Sequence, residues 1–254
     1  MNYYNAFIRK EFLELLRTKK WLIIFIVFFF IGCLSPLMAK MTPQLLESFY
    51  PNNLSLRLPV SKAIDSWREF FKNVPQLGLS VMVIVFCGTV SNEVLKKTLV
   101  NFLTKGLPRQ SVILAKMSML ILIWTLSLVG SFSVNYVYTI SLWKGEAVLT
   151  VGAALFLLWL FGVVLLGVVI LGSTIMSSAY GGLLFVGGFI GVCLIMNILP
   201  NQRYFNFLAL ISNSSALLEG TQVVSDYAFL IGLSVAHSVC SIVFSIIFFN
   251  KKSI

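Results

Sequence analysis

Charge is scarce in this sequence: Asp, Glu, Lys and Arg supply 11% of its 254 residues, and only 9 of those charges are acidic. A soluble domain carries about 25% charged residues, so a soluble globular enzyme is excluded, as are charge-rich disordered classes. Histidine occurs once, as His237, which rules out a multi-histidine metal site. The four cysteines, Cys33, Cys87, Cys193 and Cys240, form no C-x-x-C pair and fall inside apolar runs. They read as small hydrophobes, with neither a disulfide framework nor a zinc site indicated. G-x-x-x-x-G-K-[ST] is absent, so this chain has no phosphate-cradling loop with which to hydrolyse ATP alone. H-E-x-x-H and G-x-S-x-G are absent as well. No catalytic residue, resident metal or cofactor is assigned to the chain.

What is present is apolar: 58% of residues are hydrophobic and the mean hydropathy is +0.93. A bilayer crossing needs about 20 mainly apolar residues. Six such runs are expected, at about 21–38, 74–91, 112–140, 148–172, 181–199 and 227–249. The fold class is therefore an all-α integral membrane protein, a six-helix domain over 21–250 with a tail at 251–254. No charge occurs between Glu146 and Arg203, so the boundary of the fourth and fifth runs rests on the polar break from Ser173 to Gly182. The charged stretch before Trp21 is long for a removable leader, and the first span is expected to remain.

Net charge is +10, yet the basic residues flank apolar runs, which points to membrane lipid and not to nucleic acid. Twelve of the 19 Lys and Arg lie in the N-terminus, the 92–116 connection and the C-terminal tail. The positive-inside rule then places both termini in the cytoplasm. Residues 1–20 read as an amphipathic elbow helix: Tyr4, Ile8, Phe12, Leu15 and Leu16 line one side, with Arg9, Lys10, Glu11, Arg17 and Lys20 elsewhere. Lys116, near the start of the third run, is expected to snorkel to the headgroups. Asp65–Lys72 mixes charge with aromatics and is expected on the outer surface, and 204–218 is too short to span.

Three polar residues stand inside apolar runs: Asn135, Asn197 and His237. Intramembrane ionisable groups raise a functional hypothesis, but the plainer reading is a hydrogen-bonded contact between helices. No carboxylate lies mid-span, which counts against proton coupling. Gly187 and Gly191 form a G-x-x-x-G face, suited either to packing within the bundle or to a dimer seam.

Two segments are motif-like. The first is Phe7-Ile8-Arg9-Lys10-Glu11-Phe12 followed by Arg17-Thr18-Lys19-Lys20; the second is Glu93, Thr98-Leu99, Leu103-Thr104, Arg109, Ile113 and Lys116. Together with the six-span layout they resemble the permease subunit of an ABC-2 type transporter. Gly106 stands where that family usually has Pro, and Pro108 follows two residues later. The resemblance implies that two permeases, as a homo- or heterodimer, sit on separate ATP-binding cassette subunits that bind ATP and Mg. It further implies that 92–110 is the coupling element, with Glu93, Lys96, Lys97, Thr98 and Arg109 as contact residues and Lys105 beside them. The expected function is ATP-driven export of an amphipathic or hydrophobic substrate, such as an antimicrobial peptide, a drug or a lipid-linked molecule, across the cell membrane. Stand-alone intramembrane enzyme, secondary carrier and recruiting scaffold remain as alternatives.

Overall fold

The computed structural model describes residues 3–49, 60–104, 106–144, 146, 148, 150–198 and 205–252, and every element among them is helical. Helix α1 (Tyr3–Arg17) turns through Thr18 and Lys19 into α2 (Lys20–Phe49). The turn needs a left-handed residue, and Lys19 takes it with φ 55°. The second span is built in pieces: α3 (Ala63–Asn73), a π-helical turn Val74–Leu79, α4 (Ser80–Phe86) and α5 (Ser91–Leu95). Pro75 withholds a backbone donor inside the wide turn, and Gly78 sits against Phe28, where an added Cβ would lie 2.7 Å from the ring. After α6 (Val100–Leu103) come α7 (Arg109–Leu142), α8 (Val151–Ile175) and α9 (Ala179–Ile198). Two short helices, α10 (Ala209–Ser212) and α11 (Ser214–Leu218), precede a 3-10 turn Val224–Tyr227 and α12 (Ala228–Lys251).

Six of these helical segments are long and apolar enough to cross a membrane, making this a multi-pass architecture. Helix α8 is its centre. Buried residues occur all round it, from Val151 to Thr174, and α7, α9 and α12 pack against it. Trp124 of α7 reaches α8 over Gly162, where an added Cβ would lie 2.3 Å from the indole, and its Nε1 donates to Trp159 O at 3.0 Å. Helix α9 differs: only Gly182, Val186 and Cys193 are buried.

The second span starts eleven residues earlier than hydropathy alone indicates, at Ala63 and not at Val74. Asp65–Lys72 forms the amphipathic start of that helical segment. Within α3, Ser66, Trp67, Phe70 and Phe71 are buried against α2 and α7, while Arg68 and Lys72 point outward. The start of α3 is pinned twice: Lys62 N–H donates to Asp65 at 2.9 Å and Ala63 N–H donates to Glu146 at 2.7 Å. Segment 205–218 does not span; α10 and α11 pack on α8, and α11 also meets α3.

Candidate coupling site

The two motif-like segments meet in one buried charge cluster. Lys10 Nζ on α1 donates to Glu93 Oε1 on α5 at 2.5 Å, across 83 residues of chain. It also pairs with Glu11 at 2.9 Å and Glu14 at 2.6 Å. Lys116 on α7 completes the group, with Nζ 2.9 Å from both Glu11 and Glu93. Lys116 is 2% exposed, and Glu11 and Glu93 are 7% each. Lys116 therefore does not snorkel; α1 brings carboxylates to it. Phe7 covers the cluster, its ring 5.0 Å from Lys10 Nζ and 6.0 Å from Lys116 Nζ.

Burial alone would lower the Lys10 ammonium, but the carboxylates of Glu11, Glu93 and Glu14 outweigh it and hold it well above its ordinary 10.5. For Glu14, burial pushes the carboxyl up, and the hydrogen bond from Lys10 outweighs that and holds it below its ordinary 4.5. The carboxylates of Glu11, Glu14 and Glu93 come within 4.8 Å of one another. Lys10 and Lys116 sit among them, so the charge they balance is ammonium, not a metal ion. Such a cluster is weak evidence for net stability, since desolvation offsets much of the attraction. Its effect is geometric: it fixes α1 to both ends of the 93–116 connection.

Arg109 is engaged within the chain as well. Its guanidinium donates to the carbonyls of Phe249, Asn250 and Lys252 at 2.8, 3.1 and 2.8 Å, capping the end of α12. Lys252 in turn donates to the carbonyls of Thr174 and Met176 at the end of α8, at 2.9 and 3.4 Å. Both cations satisfy terminal carbonyls and oppose the negative end of a helix dipole. One end of the bundle thus gathers α1, the 93–116 connection, the α8–α9 turn and the C-terminal residues. Ser173 belongs there too. Its hydroxyl accepts from the N–H groups of Val90 and Ser91 at 2.9 and 3.2 Å, where α4 breaks before α5.

The outward face of this end is formed by α5 and the turn after it. Leu95, Lys96, Lys97 and Thr98 are exposed, as are Phe102 and, on α1, Arg9 and Arg17. Lys97 adopts φ 53°, and Thr98 N–H reaches back to Glu93 O at 3.1 Å, a helix-ending turn normally given to glycine. Lys105 lies outside the described residues. On α1 Phe7 and Glu11 are buried, Tyr4, Ile8 and Leu15 pack partly against the core, and Phe12, Leu13 and Leu16 are exposed.

The intramembrane polar candidates are dispersed. Asn135 is fully buried on α7, and no group among the described residues bonds its amide. His237 on α12 stacks on Phe189 and lies tilted against Phe207, with ring centroids at 5.4 and 4.9 Å, and its Nε2 has no partner among the described residues. Asn197 is exposed at the end of α9 and lines a cleft of about 430 Å³ with Arg68, Lys72 and Ser212. Through Pro75, Gln76 and Leu208 that cleft adjoins an apolar lateral groove of about 730 Å³ between the second span and α9. Gly187 and Gly188 line the groove, and an added Cβ at either would meet nothing within 4 Å.

Sequence reasoning placed Lys116 in the second motif-like segment without a role at the site, and it missed Glu14, Ser173 and Lys252. Lys116 carried a usable signal: it lies two turns inside an apolar helix with no acidic residue within four positions, so its counter-charge had to come from another element. Compared with known proteins, the chain matches no protein family and no characterised protein.

Proposed function

We propose that this chain is the membrane-spanning permease subunit of an ABC transporter of the ABC-2 type. It would form the path for ATP-driven export of an amphipathic or hydrophobic substrate: an antimicrobial peptide, a drug or a lipid-linked molecule. ATP and Mg would be bound by separate cassette subunits, and the chain itself would be non-catalytic. The observation that carries this reading is the Lys10–Glu93–Lys116–Glu11 cluster. Segments picked out separately as elbow and coupling element are tied together at the end of the bundle where the basic residues collect. A push delivered there would reach the second span through α5, the third through Lys116 and the elbow through Lys10.

In this reading Glu93 and Arg109 hold the coupling element in place, and the exposed Leu95, Lys96, Lys97 and Phe102 meet the cassette. The apolar groove beside α9 suits a charge-poor cargo. Gly191 does not line that groove, an added Cβ there would meet nothing within 4 Å, and it leaves room for the helix of a second permease. Both termini would be cytoplasmic by the positive-inside rule, in the cell membrane. A stand-alone enzyme fits less well, because Ser234 and Ser238 spend their hydroxyls on backbone carbonyls and His237 is walled by two phenyl rings. Purification of the tagged chain from its native membranes is the test. A separate ATP-hydrolysing chain should co-purify in stoichiometric amount; a chain that purifies alone and transports without ATP would overturn the reading.

A further inference from the structure

We propose that the seam between α2, α3 and α7 is a binding site for ordered water, held by the Asn135 amide and the Ser127 and Ser131 hydroxyls. One face of α7 carries Ser127, Ser131, Asn135 and Thr139 at every fourth position, and all four are 3% exposed or less. Thr139 is bonded: it donates to Asn135 O at 2.8 Å and its hydroxyl lies 2.8 Å from that of Ser66 on α3. For the other three, no group among the described residues bonds the side-chain polar atoms.

The same helix shows what helical hydroxyls ordinarily do. Ser118, Thr125 and the exposed Ser133 each donate to the carbonyl four residues back, and so do the buried Ser234, Ser238 and Ser245 on α12. Ser127 and Ser131 make no such bond. Asn135 has two donors and an acceptor, more than a single backbone carbonyl can satisfy. Polar atoms left bare in an apolar interior are expensive, and few persist.

The seam sets the size and charge of what can fill it. Its α2 side abuts α7 at Gly32, where an added Cβ would lie 2.7 Å from Ser131 O. Ser35 continues the polar lining on α2, with Asn73 Nδ2 of the second span 3.4 Å from its hydroxyl. Among the described residues the buried charges are Glu11, Glu93 and Lys116, all in the cluster at the other end, so the ligand is small and neutral. Residues four apart on a helix stand roughly 6 Å apart, a gap that one water can bridge. A buried water takes 2 to 4 hydrogen bonds, the number this row offers. From Ser127 to Thr139 the row runs about 18 Å along the helix, over half the hydrocarbon thickness. The consequence is a wet contact where α3 meets the bundle, and it stands whatever the chain transports.

The test is a high-resolution map of the full chain in lipid nanodiscs, with the thermal midpoint of Asn135→Leu measured beside it. Ordered solvent density is expected about 2.6–3.2 Å from the Asn135 amide and the Ser131 hydroxyl. Asn135→Leu should remove the density at that position and lower the midpoint by about 2–5 °C. Resolved side chains with no solvent beside them would overturn the proposal. So would Ser127 and Ser131 rotated onto their own backbone, or a midpoint raised by the leucine, as a dry amide requires. If the leucine variant does not fold, the wild-type map alone decides.

Discussion

At the scale of single residues, the buried ion cluster makes the sharpest statement. Lys116→Met would leave the buried Glu11 and Glu93 with Lys10 as their one remaining cation, and breaking a buried charge pair costs about 3–5 kcal/mol. Lys116→Met alone should therefore lower the unfolding midpoint strongly in nanodiscs. The double variant Glu93→Met/Lys116→Met should recover much of the loss, since charges leave in a pair; additive losses would contradict the cluster. The pH dependence follows from two groups. Glu14 is held below its ordinary value, so its contribution is present above about pH 4.5 and fades as pH falls through the lowered value. Lys10 is held above its ordinary value, so its contribution is present below about pH 10.5 and fades only as pH rises past it. Amide exchange in α1 should accordingly be slow and level between about pH 5 and 9, after correction for intrinsic rates, and speed up in acid. Lys97 is a different case. Its left-handed backbone suits glycine, so Lys97→Gly should raise stability by about 1 kcal/mol while removing a charge from the proposed cassette contact.

At the scale of elements, glycines divide into those that are packed and those that are open. Gly182 lets α9 touch the broken second span, where an added Cβ would lie 2.5 Å from Cys87 O; Gly188 meets nothing. Gly182→Val should disrupt the fold, whereas Gly188→Val should leave the midpoint unchanged within about 0.5 kcal/mol of stability. If α9 is a permease–permease seam, Gly191→Val should shift the mass distribution toward monomer in mass photometry. Equal effects at Gly182 and Gly188 would remove the distinction.

The elements also show what was legible beforehand. Six crossings could be read because lipid requires long uncharged helices, and α8, with no charge at all, is the clearest. Helix α3 was hidden because Asp65, Arg68, Glu69 and Lys72 dilute its hydropathy. The spacing of Ile64, Trp67, Phe70 and Phe71 nevertheless marks one apolar side of a helix. The apolar side of α1 was legible, and Tyr4, Ile8 and Leu15 on it pack against the core; the inward place of Glu11 was not. Phe12 and Leu16 are the more apolar choice, but Lys116 supplies a buried counter-charge that draws Glu11 inward, and that partner lies 105 residues away. Neither Arg109 nor Lys252 could be paired from sequence, since their acceptors are backbone carbonyls at helix ends.

For the whole molecule, the proposed permease role has force entering at the end where α1, the 93–116 connection and the C-terminal residues gather. The far end is tied separately, by Arg68 to Glu219, by Trp143 Nε1 to Ser61 O at 2.8 Å and by Ala63 to Glu146. A rigid bundle joined at both ends can pass a displacement between them, which a chain of isolated spans could not. A photoreactive amino acid placed at Lys97, and in a second variant at Trp143, tests this most directly in native membranes. A covalent adduct is expected between position 97 and a separate ATP-hydrolysing chain, and none from position 143. An adduct at 143 only, or none from 97 in membranes where the chain supports ATP-dependent transport, would contradict the proposed role.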